Sequence, residues 1–85
     1  MKRSKEDIVV TILEICKKPV SKTKIVYLGN LNHQTIAPYI NQLTKDGLLE
    51  TIGNSKIITY KITQKGLETL ERLKNIQNSI VTLSQ

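Results

Sequence analysis

Apolar residues recur with a helical period over most of the chain and with a period of two between about residues 48 and 62. Ile8, Val9, Ile12, Leu13, Ile15 and Cys16 form the first helical stripe. At 100° per residue they span an arc of about 160°, wider than the stripe of roughly 100° that a single core needs. The excess edge, Ile8 and Ile15, is therefore expected to face a partner chain. Ser4 has the chemistry of an N-cap, and Glu6 and Asp7 follow in the first turn, where the helix dipole favours acidic groups. This helix is expected to run to Lys17 or Lys18 and to stop before Pro19, whose ring disfavours helical geometry in its predecessor.

Val20 leaves room only for a bridge-length strand, and Ser21 can cap a second helix that carries Ile25, Val26 and Leu28 inward. Gly29-Asn30 supplies the residue types that tolerate the left-handed conformation at a helix end, and Leu31 follows as an apolar plug. In the third helix, about 33–46, Ile36, Ile40 and Leu43 have the spacing of one buried stripe, with Asn32 or Thr35 as the cap. Pro38 conflicts with a helix interior, where it removes a hydrogen bond and costs ~3 kcal/mol. The expected compromise is a looser turn from Asn32 and a regular helix from near Thr35, which places Pro38 early. Gly47 closes the helix. Two short helices, a tight turn and a closing glycine make the layout of a helix-turn-helix over 21–47.

Leu48 to Ile52 and Ile57 to Ile62 are rich in branched and aromatic residues, and Gly53-Asn54-Ser55-Lys56 has the composition of a hairpin turn. Ile58, Tyr60 and Ile62 share one face of the second strand. A hairpin at 48–62 following such a motif is a wing. Thr63 can cap a last helix over 64–83, in which Gly66 permits close backbone approach. Along that helix the apolar stripe drifts. Its first turns cover the domain's own core, whereas Leu73, Ile76, Ile80 and Leu83, spaced three, four and three, form a coiled-coil-like seam pointing elsewhere. Two copies packed through this seam would make a homodimer; the alternative is a helix folded back on its own domain.

With 85 residues the chain is expected to form one domain, and a domain of this size removes only about 60% of its unfolded surface on folding, a shortage that dimerisation relieves. Thirteen Lys and Arg against seven Asp and Glu give a net charge of +6, which attracts polyanions. The absence of a long apolar run implies no membrane span, and a soluble, cytoplasmic location is expected. Cys16 and His33 are the lone cysteine and histidine, so no metal site is expected. Cys16 is either a redox sensor or a small core hydrophobe, and its place on the apolar face favours the second. Paired carboxylates, a nucleophile with its base, and a phosphate-cradling glycine loop are all missing, so neither an enzyme nor a cofactor or small-molecule ligand is expected.

The segments Lys-Thr-Lys-Ile-Val-Tyr (22–27), Asn-Leu-Asn (30–32), Tyr-Ile-x-x-Leu-x-x-x-Gly-Leu (39–48) and Tyr-x-Ile-Thr-x-x-Gly-x-x-x-Leu (60–70) resemble those of the small archaeal winged helix-turn-helix DNA-binding proteins. That family includes basic chromatin-associated proteins and regulators from archaeal viruses and plasmids. The resemblance implies a mainly α fold with a small β-hairpin, a dimer through an antiparallel coiled coil of the last helix, and a third helix in the DNA major groove. The seam here is short, which adds the partner's first helix to the expected pairing surface.

If the apolar stripe of the third helix turns inward, His33, Gln34, Thr35, Asn41 and Gln42 remain outward. Asn and Gln can bond adenine in a bidentate manner and Thr can touch a thymine methyl, so this set suits base reading; each could equally be an ordinary solvated residue. Lys22 and Lys24, Lys45, and Lys56 with Asn54 at the wing suit the phosphate backbone. Lys2, Arg3 and Lys5 could add a basic arm. Tyr27 and Tyr39 could stack on single strands, but their places beside buried positions point to partial burial with the hydroxyl at the surface. The functions that compete are a sequence-specific transcription regulator on double-stranded DNA, an architectural nucleoid-associated protein, and a winged helix used as a protein-interaction module.

Overall fold

The computed structural model describes residues 4–54 and 56–83, with side chains through residue 76. The elements run α1 (Lys5–Ile15), α2 (Lys22–Gly29), α3 (His33–Lys45), β1 (Leu49–Gly53), β2 (Ile58–Ile62) and α4 (Gln64–Leu83). α1 opens on a capping box: the Asp7 N–H donates to Ser4 Oγ at 3.1 Å, and the Ser4 N–H donates to Asp7 Oδ2 at 3.4 Å. The helix ends at Ile15, short of the Lys17 or Lys18 expected from Pro19. The reason is tertiary. The Cys16 carbonyl accepts the Ile62 N–H of β2 at 2.8 Å, and the Lys17 N–H closes a tighter turn onto the Glu14 carbonyl at 3.3 Å.

β1 and β2 pair antiparallel, with Leu49 opposite Ile62, Thr51 opposite Tyr60 and Gly53 opposite Ile58. Val20 adds a single bridge on the other edge of β2, exchanging hydrogen bonds with Tyr60 at 3.0 and 2.7 Å. Alternation puts Ile62, Tyr60 and Ile58 on the inner face, and these are buried, half-buried and exposed in turn. The base of the hairpin is thus anchored in the core while its tip projects.

One core collects Ile8, Ile12, Leu13 and Cys16 from α1, Ile25 from α2, Ile36, Ile40 and Leu43 from α3, Leu49 and Ile62 from the hairpin and Leu70 from α4. Three expectations are corrected here. Ile8 belongs to the chain's own core rather than to a partner-facing edge, as part of one cluster fed by all four helices and the hairpin; Ile15 is half-buried against the same core. Leu28 points outward, and Tyr27 is 80% exposed rather than partly buried. α2 meets its neighbours through Gly29, where an added Cβ would sit 3.6 Å from Ile15 Cδ1 and 3.7 Å from Ile36 Cδ1. That contact turns the Ile25–Gly29 side inward and the Tyr27 and Leu28 side out. Tyr39 is half-buried, and Leu31 fills the turn.

The α4 start is clamped to the end of α3. The Thr63 hydroxyl donates to the Gly47 carbonyl at 2.6 Å and accepts the Gly66 N–H at 3.0 Å, the Thr63 N–H reaches the Leu48 carbonyl at 3.0 Å, and Lys65 Nζ reaches the Asp46 carbonyl at 2.9 Å. Carbonyls left open beyond the last turn of α3 are thereby satisfied by the next helix. Further along, Lys74 Nζ lies 2.7 Å from Glu14 Oε1 and Lys17 Nζ lies 3.3 Å from Oε2. The hydrogen bond from Lys74 is the main cause that holds the Glu14 carboxyl below its ordinary value. Leu70 is buried, Leu73 half-buried and Ile76 exposed, so the apolar stripe of α4 leaves the core as it proceeds. Ile80 and Leu83 of the expected seam lie outside the residues whose side chains are described.

Candidate nucleic-acid interface

The turn before α3 is set by local chemistry. Asn30 adopts the left-handed conformation at φ 52°, and Asn32 caps α3 by accepting the Thr35 N–H on Oδ1 at 2.7 Å. Regular helix therefore begins at His33 rather than near Thr35. Pro38 consequently lies inside the helix, not in its first turn, and offers no N–H to the Gln34 carbonyl. Buried Ile36 and Ile40 hold the helix in spite of that loss.

Opposite the buried stripe, Gln34, Pro38, Asn41 and Lys45 succeed one another at i, i+4, i+7 and i+11, all exposed. They form one ridge along the outer side of α3. His33 is exposed at its start and Gln42 along its flank, while Thr35 is half-buried. Gln42 Nε2 donates to Asp46 Oδ1 at 2.9 Å, which fixes the amide within the last turns. A shallow groove of about 330 Å³ beside the ridge is lined by Lys5, Pro38, Tyr39 and Gln42, so α1 brings a lysine alongside it. Lys22 is half-buried and Lys24 exposed in the first turn of α2, whose cap is Ser21, accepting the Lys24 N–H at 3.2 Å.

At the hairpin, Asn54 Oδ1 accepts the N–H groups of Lys56 at 2.9 Å and Ile57 at 3.1 Å, and the Asn54 N–H donates to the Ile57 carbonyl at 3.1 Å. The side-chain oxygen of Asn54 is therefore committed to shaping the turn, and Lys56 is left exposed beside it. Burial pushes the Cys16 thiol up to about 12, so it stays protonated at neutral pH and packs as a small hydrophobe. Among the described residues no cluster of His, Cys, Asp and Glu is placed to hold a metal ion, and no helix is long and apolar enough to cross a membrane. Two surface features escape a reading by residue type: Pro38 as part of the outer ridge, for which the i, i+4, i+7 spacing was the available signal, and the exposed Ile52, Ile57 and Ile58 of the hairpin.

A sequence profile of the winged helix-turn-helix family matches residues 2–80. The chain belongs to the winged helix-turn-helix family. Solved structures share this winged helix. The transcriptional regulator BldR from Sulfolobus solfataricus superposes with a TM-score of 0.79 at 22% identity, over 91% of this chain and 58% of that one. Sso10a-2, a DNA-binding protein from the same organism, gives 0.78 at 25% identity, over 96% of this chain and 90% of that one. A MarR family protein from Bacillus stearothermophilus gives 0.70 at 11% identity, over 98% of this chain and 60% of that one. The winged helix thus spans little more than half of the BldR and MarR family chains. No curated protein matches the chain significantly.

Proposed function

We propose that this winged helix is a dimeric, sequence-specific double-stranded DNA-binding protein that regulates transcription in the cytoplasm, close to the nucleoid. The observation that carries the reading is the exposed ridge of Gln34, Asn41 and Lys45 on a helix whose opposite side is anchored by fully buried Ile36 and Ile40. A polar ridge on a rigid helix can enter a major groove and present amides to base edges without reorganising. In this reading the helix-turn-helix at 21–47 reads bases through His33, Gln34, Thr35, Asn41 and Gln42. Lys22, Lys24, Lys45 and Lys56 neutralise phosphates, with Asn54 shaping the wing at 48–62.

The helix at 64–83 supplies the dimer contact. Support comes from Ile76, 56% exposed where the stripe has left the core, and from the sequence spacing that sets Ile80 and Leu83 four and seven residues further on. Replacing Leu73 and Ile80 with polar residues is expected to give monomers in sedimentation equilibrium, and an undisturbed dimer would remove the seam.

The test of DNA binding is anisotropy of a labelled duplex at several salt concentrations. A log-log slope of about −5, for roughly six phosphate contacts, is expected. Absence of binding at physiological salt would shift the reading to a protein-interaction module. An architectural role on DNA is the second reading, supported by the net charge of +6, since lysine contacts to phosphates carry no sequence information. Sharp footprints at particular sites would exclude it.

A further inference from the structure

From Ile15 to Lys45 the sequence carries no acidic residue, and Asp46 then closes α3. A carboxylate at that place has two things against it. The carbonyl end of a helix disfavours negative charge, and an acidic group weakens a surface that meets phosphates. What the carboxylate does is shown by its bond: Asp46 Oδ1 accepts Gln42 Nε2 at 2.9 Å, one turn back on the flank of α3. The main chain of Asp46 is itself held at both ends, its N–H donating to the Gln42 carbonyl at 2.9 Å and its carbonyl accepting Lys65 Nζ at 2.9 Å. A glutamine–aspartate pair adds little to the stability of an exposed helix. Its effect is on direction.

An amide has a donor end and an acceptor end, and an unrestrained glutamine turns either one outward. An ionised carboxylate only accepts. Gln42 must therefore keep Nε2 toward Asp46, which turns Oε1 away from it. Gln42 is exposed and lines the groove beside the ridge with Pro38 and Tyr39. In the major groove the amino groups of adenine and cytosine donate to such an oxygen, whereas guanine O6 and thymine O4 are acceptors that oppose it. Where the second Nε2 hydrogen also reaches the base, acceptor and donor together match N6–H and N7 of adenine.

We propose that Asp46 sets a base preference of α3: by holding Gln42 with its oxygen outward, it makes that side chain select adenine or cytosine over guanine or thymine. The proposal rests on the DNA-binding reading of the ridge. Asp46 is a positioning residue, acting through Gln42 and not on the DNA. In free protein, water competes for both partners. Once the groove excludes water the charge-assisted bond strengthens, so the amide is held where the base is read.

Selection from a pool of random duplexes gives the preferred sites of the wild-type chain and of Gln42→Ala, and the position whose preference vanishes in the variant is the one Gln42 meets. Competition anisotropy then compares two duplexes differing there by a transition, which swaps the amino group for a carbonyl. The wild type should favour the amino-bearing base by about fivefold or more, the lower end of the cost of one mismatched pair. Asp46→Asn keeps the shape but donates as well as accepts, so it holds Gln42 in either direction. Its preference should fall below about twofold at that position alone, while affinity stays equal or rises because a negative charge has left the surface. In a Gln42→Ala background, Asp46→Asn should change no preference. A purely structural role for Asp46 predicts the opposite pattern, lower affinity on every sequence with the preference kept. That pattern overturns the proposal and leaves DNA binding intact, as does a wild-type chain that favours guanine or thymine there, or one whose preferences Gln42→Ala leaves unchanged, or one with no preference at all. A wild-type chain that binds no duplex at low salt overturns the DNA-binding reading as well.

Discussion

Ile40→Ala is expected to cost about 2–5 kcal/mol of folding stability, read as a shift of the urea midpoint at fixed protein concentration. Ile40 is fully buried on α3 beside Ile36, within the cluster that joins α1, α2 and the hairpin base. Removing its outer carbons forfeits their burial and leaves a cavity that four packed elements cannot readily fill. A domain of this size holds only about 5–15 kcal/mol in total, so the loss is a large share of what keeps it folded. The control is Gln34→Ala on the opposite side of the same helix. That side chain is exposed, and its removal should stay within about 0.5 kcal/mol. Comparable losses at both positions would mean that α3 is not anchored as the structure shows.

The second large effect is expected at Gly66. A Cβ there would lie 2.2 Å from the Leu48 carbonyl oxygen and 2.6 Å from Ile62 Cγ1. That oxygen is held in place, because it already accepts the Thr63 N–H at 3.0 Å. Gly66→Ala must therefore push α4 away from the end of α3 and strain the Thr63 and Lys65 bonds that join them. A loss at the upper end of the overpacking range, about 3 kcal/mol, is expected. In a domain of this length it corresponds to a Tm lower by about 12–24 °C in a thermal scan. Gly29→Ala makes the contrast. The neighbours of its Cβ stand at 3.6 Å or more, and replacing a helical glycine recovers up to about 1 kcal/mol of backbone entropy. The two variants should move Tm in opposite directions, although both glycines are buried.

Most of the architecture was legible along the chain because its signals are local. Ser4, Ser21, Asn32 and Thr63 are caps whose bonds close within three residues. Asn30 and Gly47 hold the positive φ values that asparagine tolerates and glycine, without a Cβ, adopts freely, and the spacing of Ile36, Ile40 and Leu43 chose the buried side of α3. The polar residues proposed to read DNA could be named for the same reason, since fixing one side of a helix exposes the other.

Contacts between distant segments settled the remainder. α1 ends early because β2 takes the Cys16 carbonyl, and Ile8 is buried because the core shared by all four helices extends to that edge of α1. Leu28 and Tyr27 turn outward because α2 approaches its neighbours through Gly29. Periodicity identifies which residues share a side of a helix; which side is covered, and by what, depends on a neighbour whose position no local pattern encodes. Pro38 shows the boundary between the two. Its cost to a helix is a local property that could be weighed from the chain, but its place on the outer ridge of α3 follows from the burial of Ile36 and Ile40, which hold the helix together around it.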